Sequence, residues 1–143
     1  MFVENSLKKK AQLYFDLPNQ HMGNTVGIEF EYIGNDKVIA TMPVNENTVQ
    51  PFRILHGGAS VVLAETLASL GAWFSLDGNT KTAVGIEINA NHIRSVKEGG
   101  MIRGISTPVK KGSSIHVWET RIEDGNGKLV CQSRCTLAIV DRN

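Results

Sequence analysis

The chain is poor in the groups that hold metals or form disulfides. It has two cysteines, Cys131 and Cys135, and four histidines, none of them in an HxH or HExxH spacing. No metal site is therefore supported. The segment LVCQSRCTLAIV alternates and is rich in β-forming residues, which predicts a strand. Two thiols four residues apart on a strand share a face but stand about 13 Å apart. That excludes a disulfide or a shared zinc and leaves buried free thiols in a reduced, cytoplasmic compartment. His21 and His116 carry no local pattern and read as structural.

A charge excess is also missing. Fifteen basic and fourteen acidic residues leave a net charge of +1, so nothing draws the whole chain to nucleic acid or to an anionic membrane. An anionic ligand would have to meet a local basic patch. The N-terminal stretch MFVENSLKKKAQLYFD has no apolar core of the kind a secretory signal needs. It predicts a short amphipathic helix with Leu7, Ala11 and Tyr14 on one side, within a lead-in of residues 1–20. One run, Gly57 to Leu76, approaches membrane-spanning length, but it carries Glu65 centrally and several Ser and Gly residues. That composition fits a core helix and not a span.

What is present is enough for one domain. The 143 residues are 41% apolar and 20% charged, without repeat, linker or low-complexity tract, so residues 1–143 are expected to form one domain with a real core. Two β-patterned runs, about Val26–Ile33 and Val38–Val44, flank the turn Gly34-Asn35-Asp36 and predict a hairpin. The loop NENTVQPFRIL follows. His56-Gly57-Gly58 then opens a helix that runs to Phe74 or Leu76, where LDGNTK stops it. Four more β runs come after, about Thr82–Asn91, Gly100–Val109, Ser113–Glu123 and Lys128–Val140, the last two joined by the turn EDGNGK. The long helix is apolar nearly all round, with Val61, Val62, Leu63, Leu67, Leu70, Trp73 and Phe74, and so must be covered on most sides. The class is α+β: a curved, mostly antiparallel sheet of about six strands wrapped around one long central helix.

Glu65 is the anomaly in that helix. Positions three and four residues away hold Val61, Val62, Ala68 and Ser69, so no local cation can pair with it. A buried carboxylate without a partner is rare. The alternatives are a helix-edge residue facing solvent, a pair with a distant arginine, or a carboxylate in an apolar cleft acting as base or nucleophile. Ser69, one turn on, shares its face and can bond Glu65 or a water. His56-Gly57-Gly58 lies where free N–H groups and the positive end of the helix dipole point outwards, a setting suited to a developing oxyanion. Gly57 and Glu65 are eight residues apart, or about 12 Å along one helix. They cannot serve one carbonyl, unless Glu65 meets the Gly57 of another subunit across a two-fold axis. Two basic stretches, NHIRSVK from Asn91 and KKGSS from Lys110, suit phosphates as well as plain solvated turns.

QPFRILHGGASVVLAETLAS, followed by GIEINANHIRSVKEG, resembles the hotdog-fold acyl-CoA thioesterases of the phenylacetate-pathway, or PaaI-like, group. Within it the stretch looks closest to the hydrolases of 1,4-dihydroxy-2-naphthoyl-CoA and their enterobactin-pathway relatives. The resemblance covers about residues 24 to 140. It implies a sheet wrapped around the central helix and a homodimer with two composite sites, usually paired into a homotetramer. It also implies that Glu65 is the catalytic carboxylate and that the Gly57 N–H polarises the thioester carbonyl. Gln50 and His56 would orient the thioester, and Ser69 would help to place water. His92, Arg94 and Ser95, with Gly112 and Ser113, fall where the group holds the CoA nucleotide. Arg53 departs from the pattern, since relatives commonly have glycine there.

The expected function is hydrolysis of an acyl- or aroyl-CoA thioester, with no cofactor, metal, nucleic acid or membrane. A thioesterase acting on acyl carrier protein and a non-catalytic acyl-CoA-binding module on the same fold are the alternatives.

Overall fold

The computed structural model describes residues 1–143. Its strands are β1 (Phe2–Val3), β2 (Glu29–Gly34), β3 (Lys37–Pro43), β4 (Lys81–His92), β5 (Met101–Lys111), β6 (Ile115–Glu123) and β7 (Leu129–Asp141). They form a single sheet in the order β1-β2-β3-β5-β6-β7-β4. All neighbours are antiparallel except β1, which lies parallel to β2. The helices are α1 (Lys8–Phe15), the single turn α2 (Met22–Thr25) and α3 (Gly57–Phe74).

α3 touches every strand from β2 to β7, so the sheet wraps it as the hotdog fold requires. The helix is long and apolar enough to cross a membrane by length and composition; here it is the core of the wrapped sheet. Ser60, Leu63, Ala64, Leu67, Ala68, Gly71 and Ala72 recur at helical spacing and are buried. Small residues bring helix and sheet close together. A Cβ on Gly71 would stand 2.6 Å from the Trp118 ring, and one on Gly104 would stand 2.7 Å from Leu67. Ile33, Val38, Met42, Ile102 and Ile122 complete a solvent-free interior, and such burial supplies most of the driving force for folding.

α1 docks through buried Leu7 and Ala11, the face expected from its pattern. Lys10 reaches across to the end of α3, where its Nζ donates to the Trp73 and Leu76 carbonyls at 2.6 and 2.8 Å. A cation there satisfies carbonyls that the helix cannot.

Three expectations need correction. The sheet has seven strands, because the two-residue β1 adds one edge. The first long strand starts at Glu29 and not Val26, because α2 and Gly27, at φ 79°, turn the chain first. The third β-run after α3 starts at Ile115, the Ser113-Ser114 pair being spent in the hairpin. As expected, α3 is covered on most sides, and Val61, Val62, Glu65, Thr66 and Ser69 form its one half-buried face.

Candidate active site

The half-exposed face of α3 runs beside β4, the last strand of the sheet, whose outer edge is unpaired over twelve residues. A bulge between Gly85 and Glu87 shifts the β4 register against β7. Ala83 and Gly85 before it, and Ile88 and Ala90 after it, all face the helix. The Glu65 side chain crosses to this strand. A Cβ on Gly85 would sit 2.8 Å from its Oε1, so glycine is what gives the carboxylate its place. Glu65 makes no ion pair and no hydrogen bond within the protomer. Val62, Thr66, Ser69 and Leu70 join it around an open cavity of about 340 Å³, which Tyr14 and Met22 border from the N-terminal segment. Ser69 is thus beside Glu65, as its spacing predicts.

The N-terminal end of α3 is built by two imidazoles and two glycines. His56 is the N-cap, and its Nδ1 accepts the Gly58 N–H at 2.8 Å. A Cβ on Gly58 would press to 2.9 Å on that nitrogen. Because Nδ1 is an acceptor, the neutral ring carries its proton on Nε2, which is left free to donate. A Cβ on Gly57 would stand 3.0 Å from Nε2 of His92, so the first glycine admits the second imidazole. The Gly57 N–H has no acceptor within the protomer. It is a bare donor at the positive end of an 18-residue helix.

Gly57 lines a second cavity, of about 360 Å³, with His92, Arg94 and Ser95. The structure therefore brings the end of β4 to the start of α3. It does not bring Gly57 to Glu65, because the two line separate cavities. Nor does it bring Gly112 and Ser113 to His92. Gly112 closes the β5–β6 hairpin through its N–H to the Ile115 carbonyl, beside Ala138 of β7, whereas His92 pairs with Cys131. Seven residues of β7 separate those positions, or about 23 Å. In the same turn, Lys111 is held by Asp36 at 2.6 Å.

Gln50 has its side chain turned into its own loop, where Oε1 takes the Phe52 N–H. Arg53 follows at φ 63°, the sole non-glycine residue in the left-handed region. Its guanidinium bonds both Glu98 oxygens, at 2.5 and 2.8 Å, which holds the Glu98 carboxyl below the usual carboxylate range. Backbone bonds from Leu55 N to Val96 O and from Glu98 N to Arg53 O join the same loops. The segment bearing Gln50 and His56 and the segment bearing Arg94 and Ser95 are thus tied together.

The remaining titratable candidates are structural. Cys131 and Cys135 are buried and free. Burial, then the negative charges of Glu65 and Glu87, push the Cys135 thiol up to about 11. His116 is buried, and its Nδ1 accepts the Trp118 indole N–H at 3.2 Å. His21 caps α2 by accepting the Asn24 N–H at 3.2 Å. No group of three or more His, Cys, Asp or Glu side chains is placed to hold a metal. Sequence reasoning missed Tyr14 and Met22 beside Glu65 and the close approach of Gly85 to its carboxylate. Gly85, an isolated glycine in a β-run, was the available signal for a close approach.

A seven-stranded sheet wrapped around one long helix defines a hotdog protein. Residues 52–131 match the thioesterase superfamily, and the chain belongs to that family: it is a thioester hydrolase. It is 51% identical over 121 residues to a 1,4-dihydroxy-2-naphthoyl-CoA hydrolase of Escherichia coli, covering 82% of this chain and 88% of that enzyme. An enzyme of the same name in Listeria monocytogenes is 44% identical over 115 residues, covering 80% and 92%. Among solved structures, a thioesterase of Haemophilus influenzae superposes with a TM-score of 0.83 at 41% identity, covering 94% of this chain and 90% of that one. The resemblance read from the HGG helix and the strand after it is borne out.

Proposed function

We propose that the protein hydrolyses an acyl- or aroyl-CoA thioester in the cytoplasm, as a homodimer with two composite sites. The observation that carries this reading is the separation of Gly57 and Glu65 into two cavities on one helix. Each cavity holds half of what a thioester needs. The unpaired edge of β4 beside Glu65 supports pairing with a second copy, which would lay two α3 helices antiparallel. The Gly57 N–H of one copy then meets the cavity that holds Glu65 in the other.

In that site the thioester oxygen lies on the Gly57 N–H, with Nε2 of His56 as a second donor. Charge building on that oxygen is stabilised by donors already in position. Glu65 either removes a proton from water, whose oxygen adds to the carbonyl carbon, or adds through its own oxygen to give an anhydride that water then opens. By both routes the C–S bond breaks, CoA leaves as its thiol and one water is consumed. The water oxygen enters the acid by the first route. By the second, water adds to the glutamyl carbonyl of the anhydride, so that its oxygen stays in Glu65 and an oxygen of Glu65 leaves in the acid. The free Ser69 hydroxyl, one turn from Glu65, is suited to holding the water. Arg94, Ser95 and His92, at the far side of the Gly57 cavity, are suited to the nucleotide. Gly112 and Ser113 lie too far away in the same chain, so any contact they make with that nucleotide comes from another protomer, as in a homotetramer. A pure binding module has no use for an unpaired carboxylate in its acyl cavity.

The test is Glu65→Gln, which keeps size and removes the base. Thiol release from a panel of aroyl- and fatty acyl-CoAs should fall at least about 100-fold while the fold is kept. Activity near wild type would remove Glu65 from the mechanism. Single turnover in heavy-oxygen water separates the two routes, because label in Glu65 marks the anhydride.

A further inference from the structure

We infer that Tyr14 and Met22 are specificity-determining residues. They wall the Glu65 cavity so that a flat ring system is accepted and an extended alkyl chain is not. This rests on the thioesterase reading above and adds which part of the chain chooses the acyl group. Both residues precede the segment that matches the thioesterase superfamily, and α3 supplies the rest of the cavity.

The two walls differ in kind. The Tyr14 ring stands edge-on to Phe15, Phe30 and Phe74, with centroids 5.2, 6.1 and 6.2 Å away, and tilted to Trp73 at 6.4 Å. A ring packed on four others is fixed in orientation, so it makes a wall that an acyl chain cannot push aside. Met22 is 65% exposed and unbranched, so it can settle onto whatever enters. Its position is nevertheless set, because the His21 cap pins the α2 turn. A dry cavity of about 150 Å³ encloses one benzene ring. The cavity here, about 340 Å³ and open to solvent on its outer side, has room for an acyl group of one or two rings. The Tyr14, Thr66 and Ser69 hydroxyls have no partner within the protomer, so with the Glu65 carboxylate they leave polar points among the apolar Met22, Val62 and Leu70.

The experiment is the ratio of kcat/KM for benzoyl-CoA to that for decanoyl-CoA in wild type, Tyr14→Phe, Tyr14→Ala and Met22→Ala. Wild type should favour benzoyl-CoA. Tyr14→Ala should lower the ratio about tenfold or more, the scale on which an apolar pocket discriminates, chiefly by raising turnover of the long chain. Tyr14→Phe keeps the ring and should keep the ratio within about twofold. Met22→Ala, at an exposed position that folding does not depend on, should shift the ratio the same way as Tyr14→Ala and keeps the test valid if Tyr14→Ala unfolds. An equal fall on both substrates would mean a merely structural role and would overturn the inference. So would a wild type that favours decanoyl-CoA, or a Tyr14→Phe shift as large as that of alanine. A wild type that cleaves no CoA thioester overturns the proposed function itself, whereas an active enzyme with unmoved ratios sinks only the wall.

Discussion

The Glu65 carboxylate rests on the backbone of Gly85, so closely that a Cβ there would sit 2.8 Å from Oε1. The carboxylate is given its place by the absence of a side chain on the neighbouring strand. Gly85→Ala should keep the fold, since β4 is an edge strand and the position is exposed. It should lower kcat by about tenfold or more, because a displacement of about 1 Å costs up to 100-fold in well-oriented reactions. Steady-state kinetics with circular dichroism as the folding control decides it. An unchanged kcat would mean that Glu65 works from another rotamer.

The proposed sharing of the site between subunits can be tested by complementation. Glu65→Gln and Gly57→Pro each remove one half of the site, the proline by deleting the donor N–H. The proline ring also meets His92, so its folding must be checked first. When the two variants are dissociated, mixed and reassociated, about half the dimers are mixed, and each has one intact site. About a quarter of wild-type activity should return. If mass spectrometry finds mixed dimers and activity stays at the parental level, the trans arrangement is refuted.

Binding and chemistry should separate at Arg94. It lies exposed in the Gly57 cavity, away from the carboxylate. Arg94→Ala should raise KM for CoA thioesters about tenfold with little change in kcat, the mark of lost uniform binding. Short thioesters without a nucleotide should be unaffected. Equal effects on both substrate types would move Arg94 out of the nucleotide site.

Stability should depend on His116. Burial, and then the charge of Lys111, lower its affinity for a proton below the 6.5 of an ordinary imidazole. Its Nδ1 must also stay bare to accept from Trp118. The unfolded chain therefore binds a proton at higher pH than the folded one. The stability contributed by the neutral ring is fully present above about pH 6.5 and is lost as pH falls from there towards the folded value. Urea midpoints measured from about pH 8 to pH 5 should fall in that window, and His116→Gln, which keeps an acceptor, should flatten the dependence. Parallel curves for the two proteins would show that other groups dominate.

Arg53 combines a strained backbone with an exposed ion pair. Arg53→Gly loses the pair and relieves the left-handed conformation, so its urea midpoint should match or exceed that of wild type. Arg53→Ala loses the pair and keeps the strain, and should unfold earlier. A wild type more stable than both would mean that the Glu98 pair outweighs the backbone strain.

Much of this was legible in the residues. His-Gly-Gly before an apolar run and Asp-Gly-Asn after it bracket α3 to within two residues of its observed end. Alternation located each long strand. What lay beyond reach was whatever depends on two distant segments meeting. Two residues, Phe2 and Val3, have no period to read. Tyr14 and Met22 come to Glu65 only through tertiary packing, and the second glycine-imidazole contact joins Gly57 to a residue 35 positions later. The separation of Gly112 from His92 follows from strand register, which the alternation of one strand does not fix.

The Gly85–Glu87 bulge has a consequence for solubility. A flat, bare edge of twelve residues, with Val84 and Ile86 turned outwards and 50% and 59% exposed, would accept almost any extended segment that drifted past it. The bulge breaks the ladder midway and leaves one residue out of step. A strand that docks across it must accommodate that irregularity. The same kink that lets Gly85 lie beneath the carboxylate thus acts as a keyed lock on the open edge, restricting misassembly of chains that emerge singly from the ribosome.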